Sequence, residues 1–490
     1  MGTETFLSHW QLRARFARGL SDLYGTEVPA YTTLVEVSGA VNENFRARHP
    51  EQAERLGSLA RVTAERHGAI RVGSPEELAQ VARVFGAAGM FPVGFYDLRE
   101  AKPSPVPVVS TAFRPIDREE LALNPFRVFT SMLVPQDRRF FSAELEGQLE
   151  EFIARRTLFP PELLELADRS IADGGLAEED AERYLELAIG AFALSAAPVD
   201  RAWYERLDEI SSVAADIGGV ASTHINHLTP RVLDIDDLYA RMQARGITMI
   251  DAIQGPPRWD GPDLLLRQTS FRALAEPRTF VEPDGSLTRG DLRVRFGEVE
   301  ARGIALTQAG RNHYDSMLAE VDAEQAASGR PRAEVAVEVW ERLCPRTEHE
   351  LLAADFAYFA FTAVGRLTRA PGDLLALIEA GVVTAEPIVY EDFLPRSAAG
   401  IFASNLTSDG SVDAEQVGAQ RDMAWMAERI GRTIHDPYVL YAAERQASFD
   451  DAMRRLGLDP ERVTTPWRAP LASADGAPVA TGGNSIRSGR

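Results

Sequence analysis

The sequence predicts an α+β fold in which two β-α-β-β-β modules are set among long helical tracts. Three observations predict it. The hydrophobic period switches twice along the chain from helical to strand spacing. Each strand-rich stretch carries one helix after its first strand. Both stretches also contain the string H-x-x-x-R-V, as His67-Gly-Ala-Ile-Arg71-Val72 and as His227-Leu-Thr-Pro-Arg231-Val232, each running into an acidic helix start. Duplication of one module is the economical reading.

Residues 1–66 read as N-terminal helices, amphipathic around 8–24 and 32–65 and broken at Pro29. The first module spans 67–134. Its strands are HGAIRV, FPVGFYDL, VPVVSTAF and FRVFTSMLV, short β-branched or aromatic runs bounded by Pro and Gly. Its helix, PEELAQVARVFGAAG, has Ser74 as N-cap and Pro75 at the first position. Residues 135–221 form a helical insertion rich in Leu, Ala and Glu, with a break at Gly174–Gly175. The second module covers 222–307, with helix DIDDLYARMQARG and strands HINHLTPRV, ITMIDAI, DLLLRQTSFRAL and DLRVRFGEVEARGIAL. A helical region follows over 308–470, with Trp340 and the Phe356–Phe361 cluster on apolar helix faces and a pocket-bordering strand and loop at 388–405. The small, polar tail 471–490 is expected to be disordered.

Composition narrows the function. Fifty-two Lys+Arg against 73 Asp+Glu leave a net charge of −21, which argues against a nucleic-acid partner or an anionic membrane surface. No run of about eighteen apolar residues suggests a membrane span, and no apolar core near the N-terminus suggests a secretory leader. Cys344 is the one cysteine, so neither an intrachain disulfide nor a thiolate metal cluster can form, and a cytoplasmic location is expected. Any metal site must be built from His and carboxylate.

Strand geometry sorts the candidates. Side chains four apart share a face, so His67 and Arg71 point the same way, roughly 13 Å apart along the strand. His224 and His227 are three apart and face opposite ways. The repeat aligns His227 with His67 and leaves His224 as a structural or surface histidine. A third ligand is available from FGEVEARG, where Glu298 and Glu300 share a face with Arg302. Two histidines and one carboxylate make a facial triad suited to non-haem Fe(II), with open positions for a chelating substrate and O₂. The plainer reading of Glu298, Glu300 and Arg302 is an exposed charged edge. Tyr96, Gln268 and Ser270 could also point toward the same site, depending on register.

The paired modules resemble the vicinal oxygen chelate superfamily, in which two such units curl into an open β-barrel around a metal. More specifically, the chain resembles the 2-oxoadipate dioxygenase/decarboxylase (D-2-hydroxyglutarate synthase) family. The resemblance is carried by RHGAIRVGS, GFYDL, STAFRP, NPFRVFTS, HINHLTPRVLDID, LLRQTSF, RFGEVEARGIALT and YEDFLPRSAAGIFASNL, in the family's order. It implies an Fe(II) enzyme of lysine catabolism that takes a small 2-oxo acid and O₂ and forms 2-hydroxyglutarate and CO₂. It implies His67, His227 and Glu298 as metal ligands, with Glu300 the other candidate. It also implies Arg71 as the anchor for a substrate carboxylate, and Arg396 and Ser397 at the pocket edge. Arg396 departs from the small apolar residue expected there. The same barrel also hosts extradiol-type dioxygenases, glyoxalase-like isomerases and non-catalytic binding proteins. The sequence carries no signal for oligomeric state.

Overall fold

Strand β1 (Arg66–Val72) is where the two modules meet. The computed structural model describes residues 6–101, 105–292, 295–366, 372–394, 416 and 418–468. In the first module β1 is followed by helix α1 (Pro75–Gly86) and strands β2 (Phe91–Asp97), β3 (Val108–Arg114) and β4 (Arg127–Leu133). Ser74 caps α1 as expected, its hydroxyl accepting from the Glu77 amide at 3.3 Å. In the second, β5 (His227–Pro230) leads through helix α3 (Ile235–Ala244) to β6 (Leu266–Ser270) and β7 (Glu298–Arg302). Helix α2 (Ser212–Gly218) closes the helical insertion between them.

The sheet runs β2-β3-β4-β1-β5, with β1 and β4 parallel and the other neighbours antiparallel. It continues across a parallel bridge from Arg231, just past β5, to Glu300 on β7, which pairs antiparallel with β6. First and last strands are thus parallel neighbours in both modules. Where β1 meets β5, Gly68 faces Leu228. These residues hold the same place in H-x-x-x-R-V, one step after each histidine. A local twofold axis therefore passes between them, as a duplicated module requires. A Cβ on Gly68 would come within 2.8 Å of the Ile225 side chain, so glycine allows the close approach at this seam.

The two faces of β1 divide its labour. Ile70 and Val72 enter the main apolar core with Phe16 and Leu20 of the N-terminal helix and Leu78 and Phe85 of α1. His67, Ala69 and Arg71 face the concave side. The sheet stays open; the described strands form no closed barrel.

Several local expectations need correction. The stretch 32–65 is three helices, Pro29–Arg48, Pro50–Ala53 and Leu59–Ala64, interrupted at Pro50 and at Gly57 with φ +112°. ITMIDAI makes only one isolated antiparallel bridge, Met249 to Phe271, and Gln254 just past it makes another, to Gln268. Asp251 and Ala252 turn outward between them, and Pro256 and Pro257 offer no amide to extend a ladder. The segment 291–306 is not one strand. Leu292 ends a hairpin of Glu276–Val281 and Leu287–Leu292, turned at Asp284–Gly285 with Gly285 at φ +81°, and β7 begins at Glu298. Phe359–Ala363 is a strand paired with Val383–Pro387 rather than a helix face. Its phenylalanines alternate with small residues, and Phe361 lies flat against Trp467 at 5.6 Å.

Cys344 is buried, which pushes its thiol up to about 12. Native protein should not react with a disulfide reagent such as DTNB at neutral pH, whereas unfolded protein should release one equivalent per chain. Rapid native labelling would contradict this burial. No helix among the described residues is long and apolar enough to cross a membrane.

Candidate metal centre

The twofold seam sets the two repeat histidines diagonally. His67 pairs with Thr229 and His227 with Ala69, and their rings meet edge to face at 5.4 Å. Strand β7 then brings in a carboxylate. Glu298 Oε2 lies 3.3 Å from His67 Nε2 and 3.2 Å from His227 Nδ1. The Thr229 hydroxyl donates to the same oxygen at 3.3 Å. One ligand atom from each of His67, His227 and Glu298 falls within a 4.8 Å span, and the three residues are 1%, 5% and 4% exposed. Cis ligands on a divalent ion with bonds of about 2.1 Å stand about 3 Å apart, so the donor set and its spacing fit a facial metal site.

Glu300 takes the other side of His67. Its Oε2 lies 3.1 Å from Nδ1. Arg302 grips the same carboxylate with two donors along one edge of its fork, Nε to Oε1 at 2.6 Å and Nη2 to Oε2 at 2.9 Å, and Arg127 adds a contact at 3.4 Å. Glu298 therefore faces both histidines, while Glu300 holds the far nitrogen of one. This is the carboxylate–histidine arrangement that orients a ligand from behind. Burial would raise Glu300, but the charges of Arg302, His67 and Arg127 hold it down to about 2. Burial alone would lower His67, yet the two carboxylates raise it, Glu300 most. Burial takes His227 well below its usual value, and the charges of His67 and Arg71 add to this. The exposed-edge reading of β7 fails, since Glu300 is fully buried and Arg302 is 4% exposed.

Aromatic rings wall the site. Phe393 meets His67 edge-on at 5.0 Å, and Phe296 stacks on His227 at 5.2 Å. By the strand pairing, Phe129 on β4 occupies the place that Glu298 takes on β7. It packs against Phe393 at 5.0 Å. The first module thus supplies a hydrophobic wall where the second supplies a carboxylate.

Arg71 is buried on the concave face of β1 and ion-paired with Asp216 of α2. His224 is not at the surface; its Nε2 lies 3.2 Å from Asp216 Oδ1. Arg231 is structural, donating to Glu65 at 2.9 Å. Tyr96, Gln268 and Ser270 are all buried. Arg396 and Ser397 lie outside the described residues.

Sequence reasoning missed Asp216, Asn226, Thr229, Phe129, Phe393 and the anion Glu65, which binds Arg127 and Arg231 behind the triad. One signal was present. Asp216 is the single charged residue in SSVAADIGGVA, and a lone acid in an apolar run needs a buried partner.

A β-α-β-β-β module and a second unit with one strand reduced to isolated bridges bring two histidines and a glutamate together, which defines an α+β protein with a possible three-residue metal site. A family model described as 2-oxoadipate dioxygenase/decarboxylase matches residues 16–405. A Mycobacterium tuberculosis protein of that name is 58% identical over 436 residues, 89% of this chain and 97% of its own. One from Pseudomonas putida is 38% identical over 475 residues, 94% and 99% of the two chains. The crystal structure of hydroxyglutarate synthase in complex with 2-oxoadipate from Pseudomonas putida superposes with a TM-score of 0.78 at 37% identity, covering 92% of this chain and 99% of that one. The chain belongs to the 2-oxoadipate dioxygenase/decarboxylase family.

Proposed function

We propose that this chain converts 2-oxoadipate and O₂ to 2-hydroxyglutarate and CO₂, using Fe(II) held by His67, His227 and Glu298. The observation that carries the reading is the buried convergence of those three side chains, from strands β1, β5 and β7, with Arg71 on the same face of β1 as His67. The reaction balances without a further reductant. The substrate's first carbon leaves as CO₂, and both atoms of O₂ remain in the five-carbon product.

Bound iron would supply O₂ activation and chelation of the substrate's carboxylate and keto oxygens. The chain's residues do the rest. Glu300 at Nδ1 keeps His67 turned so that Nε2 faces Glu298, the side on which these residues would hold the metal. Phe393, Phe129 and Phe296 line the centre with apolar surface, which excludes water from reactive species. Arg71 receives a carboxylate of the dianionic substrate, since its planar fork binds bidentately and a lysine would not. A net charge of −21 does not bar a dianionic substrate, because Arg71 and a bound metal cation would supply positive charge locally. Arg396 and Ser397 remain proposed pocket residues on the resemblance alone.

The test is anaerobic loading with Fe(II), followed by O₂ uptake and CO₂ release against five- to seven-carbon 2-oxo acids. One CO₂ per O₂ with 2-oxoadipate supports the reading; neither gas changing overturns it. The Arg71→Lys variant should retain iron and raise KM about tenfold, the loss of roughly one charge-assisted bond. Unchanged kinetics would remove Arg71 from the substrate site.

A further inference from the structure

The charge balance around Arg71 assigns a role to a residue outside the metal triad. Arg71 is 4% exposed, and a guanidinium so buried requires an anion beside it. Asp216, at the end of α2, is that anion. Asp216 is itself held from two further sides. His224 Nε2 lies 3.2 Å from Oδ1, and the Asn226 amide donates to Oδ2 at 2.9 Å. Burial would raise this carboxyl, but the charges of His224 and Arg71 keep it well below the usual carboxylate range, so it stays an anion. The surrounding chain is tied to the same strand. The Thr223 hydroxyl donates to the Arg71 carbonyl at 2.7 Å, and the Asn226 amide nitrogen of the backbone donates to the Ala69 carbonyl at 2.8 Å. Asn226 immediately precedes the ligand His227. One carboxylate therefore connects the proposed substrate anchor to the start of a metal-ligand strand.

We infer that Asp216, braced by His224 and Asn226, is a positioning residue that aims the Arg71 guanidinium at the substrate carboxylate. The inference rests on Arg71 being the anchor. A guanidinium carries five N–H donors in a rigid fork, so fixing one edge on Asp216 sets the direction of the others. Asp216 also balances the charge of Arg71, so the guanidinium is not an isolated buried charge.

The test is a double-mutant cycle on the iron-loaded enzyme with Asp216→Asn, Arg71→Lys and both together. KM and kcat for 2-oxoadipate, iron content and thermal unfolding are read in parallel. Asp216→Asn should raise KM about tenfold with kcat changed less than about threefold and iron retained. The double variant should be no worse in KM than Arg71→Lys alone, because both changes disable one anchor. If Arg71→Lys raises KM while Asp216→Asn leaves it unchanged, or if the two effects multiply, the positioning role is overturned and the anchor stands. If Arg71→Lys itself changes nothing, the anchor reading falls. Where Asp216→Asn does not fold, Asp216→Glu keeps the charge but displaces the guanidinium by a methylene. It should raise KM in the same way, and an unchanged KM overturns the inference.

Discussion

His67→Ala is expected to lose metal and turnover together. His67 Nε2 is one of three converging donors, and two remaining ligands do not make a facial triad. The imidazole also stands between two buried carboxylates, 3.3 Å from Glu298 and 3.1 Å from Glu300. Its removal leaves like charges facing each other in a dry site, so the variant should also be destabilised by a few kcal/mol, about 3. His67→Gln keeps a polar side chain between the carboxylates and separates ligation from folding. It should fold better than the alanine variant and still bind no iron after anaerobic loading and desalting. Retained iron with full turnover in either variant would remove His67 from the metal site.

The second large effect separates the two glutamates of β7. Glu298→Gln should abolish metal binding, because this carboxylate touches both histidines. Glu300→Gln should leave a site that still binds metal, weakened about 10- to 100-fold, as expected for a group that orients a ligand from behind. The amide keeps the shape but gives up the charge that Arg302 and Arg127 both engage, so some loss of stability should accompany it. Binding isotherms for Co(II), read through its visible absorption, measure affinity and coordination without turnover. Tight binding in Glu298→Gln with none in Glu300→Gln would exchange the two roles.

Much of this site was readable from residue spacing. The i, i+2, i+4 pattern of Glu298, Glu300 and Arg302 put all three on one strand face, and they share it. The repeated H-x-x-x-R-V selected His227 over His224, and the seam at Gly68 and Leu228 shows why, since a twofold brings equivalent residues together. The resemblance put Glu298 ahead of Glu300, but the physical basis for that order lies in the alignment of β5 with β7 through Arg231 and Glu300, which no local pattern encodes. The same holds for Phe129, whose equivalence to Glu298 exists only in the sheet register. Asp216 comes from the helical insertion and reaches Arg71 across a large sequence separation. The hairpin at Glu276–Leu292 falls between two predicted strands and shares only Asp291 and Leu292 with the second; EPRTFV and LTRGDL carry too few apolar residues to read as strands, although Asp284–Gly285 is a strong turn signal.

The central claim is that this buried triad directs both atoms of O₂ into one decarboxylated product. Turnover of 2-oxoadipate by the Fe(II)-loaded protein under isotopically heavy O₂ tests it most directly, with the product analysed by mass spectrometry. The expected product is 2-hydroxyglutarate carrying two heavy oxygens, one in the new carboxylate and one in the hydroxyl, while the released CO₂ carries none. Unlabelled 2-hydroxyglutarate, or label appearing in CO₂, would contradict it.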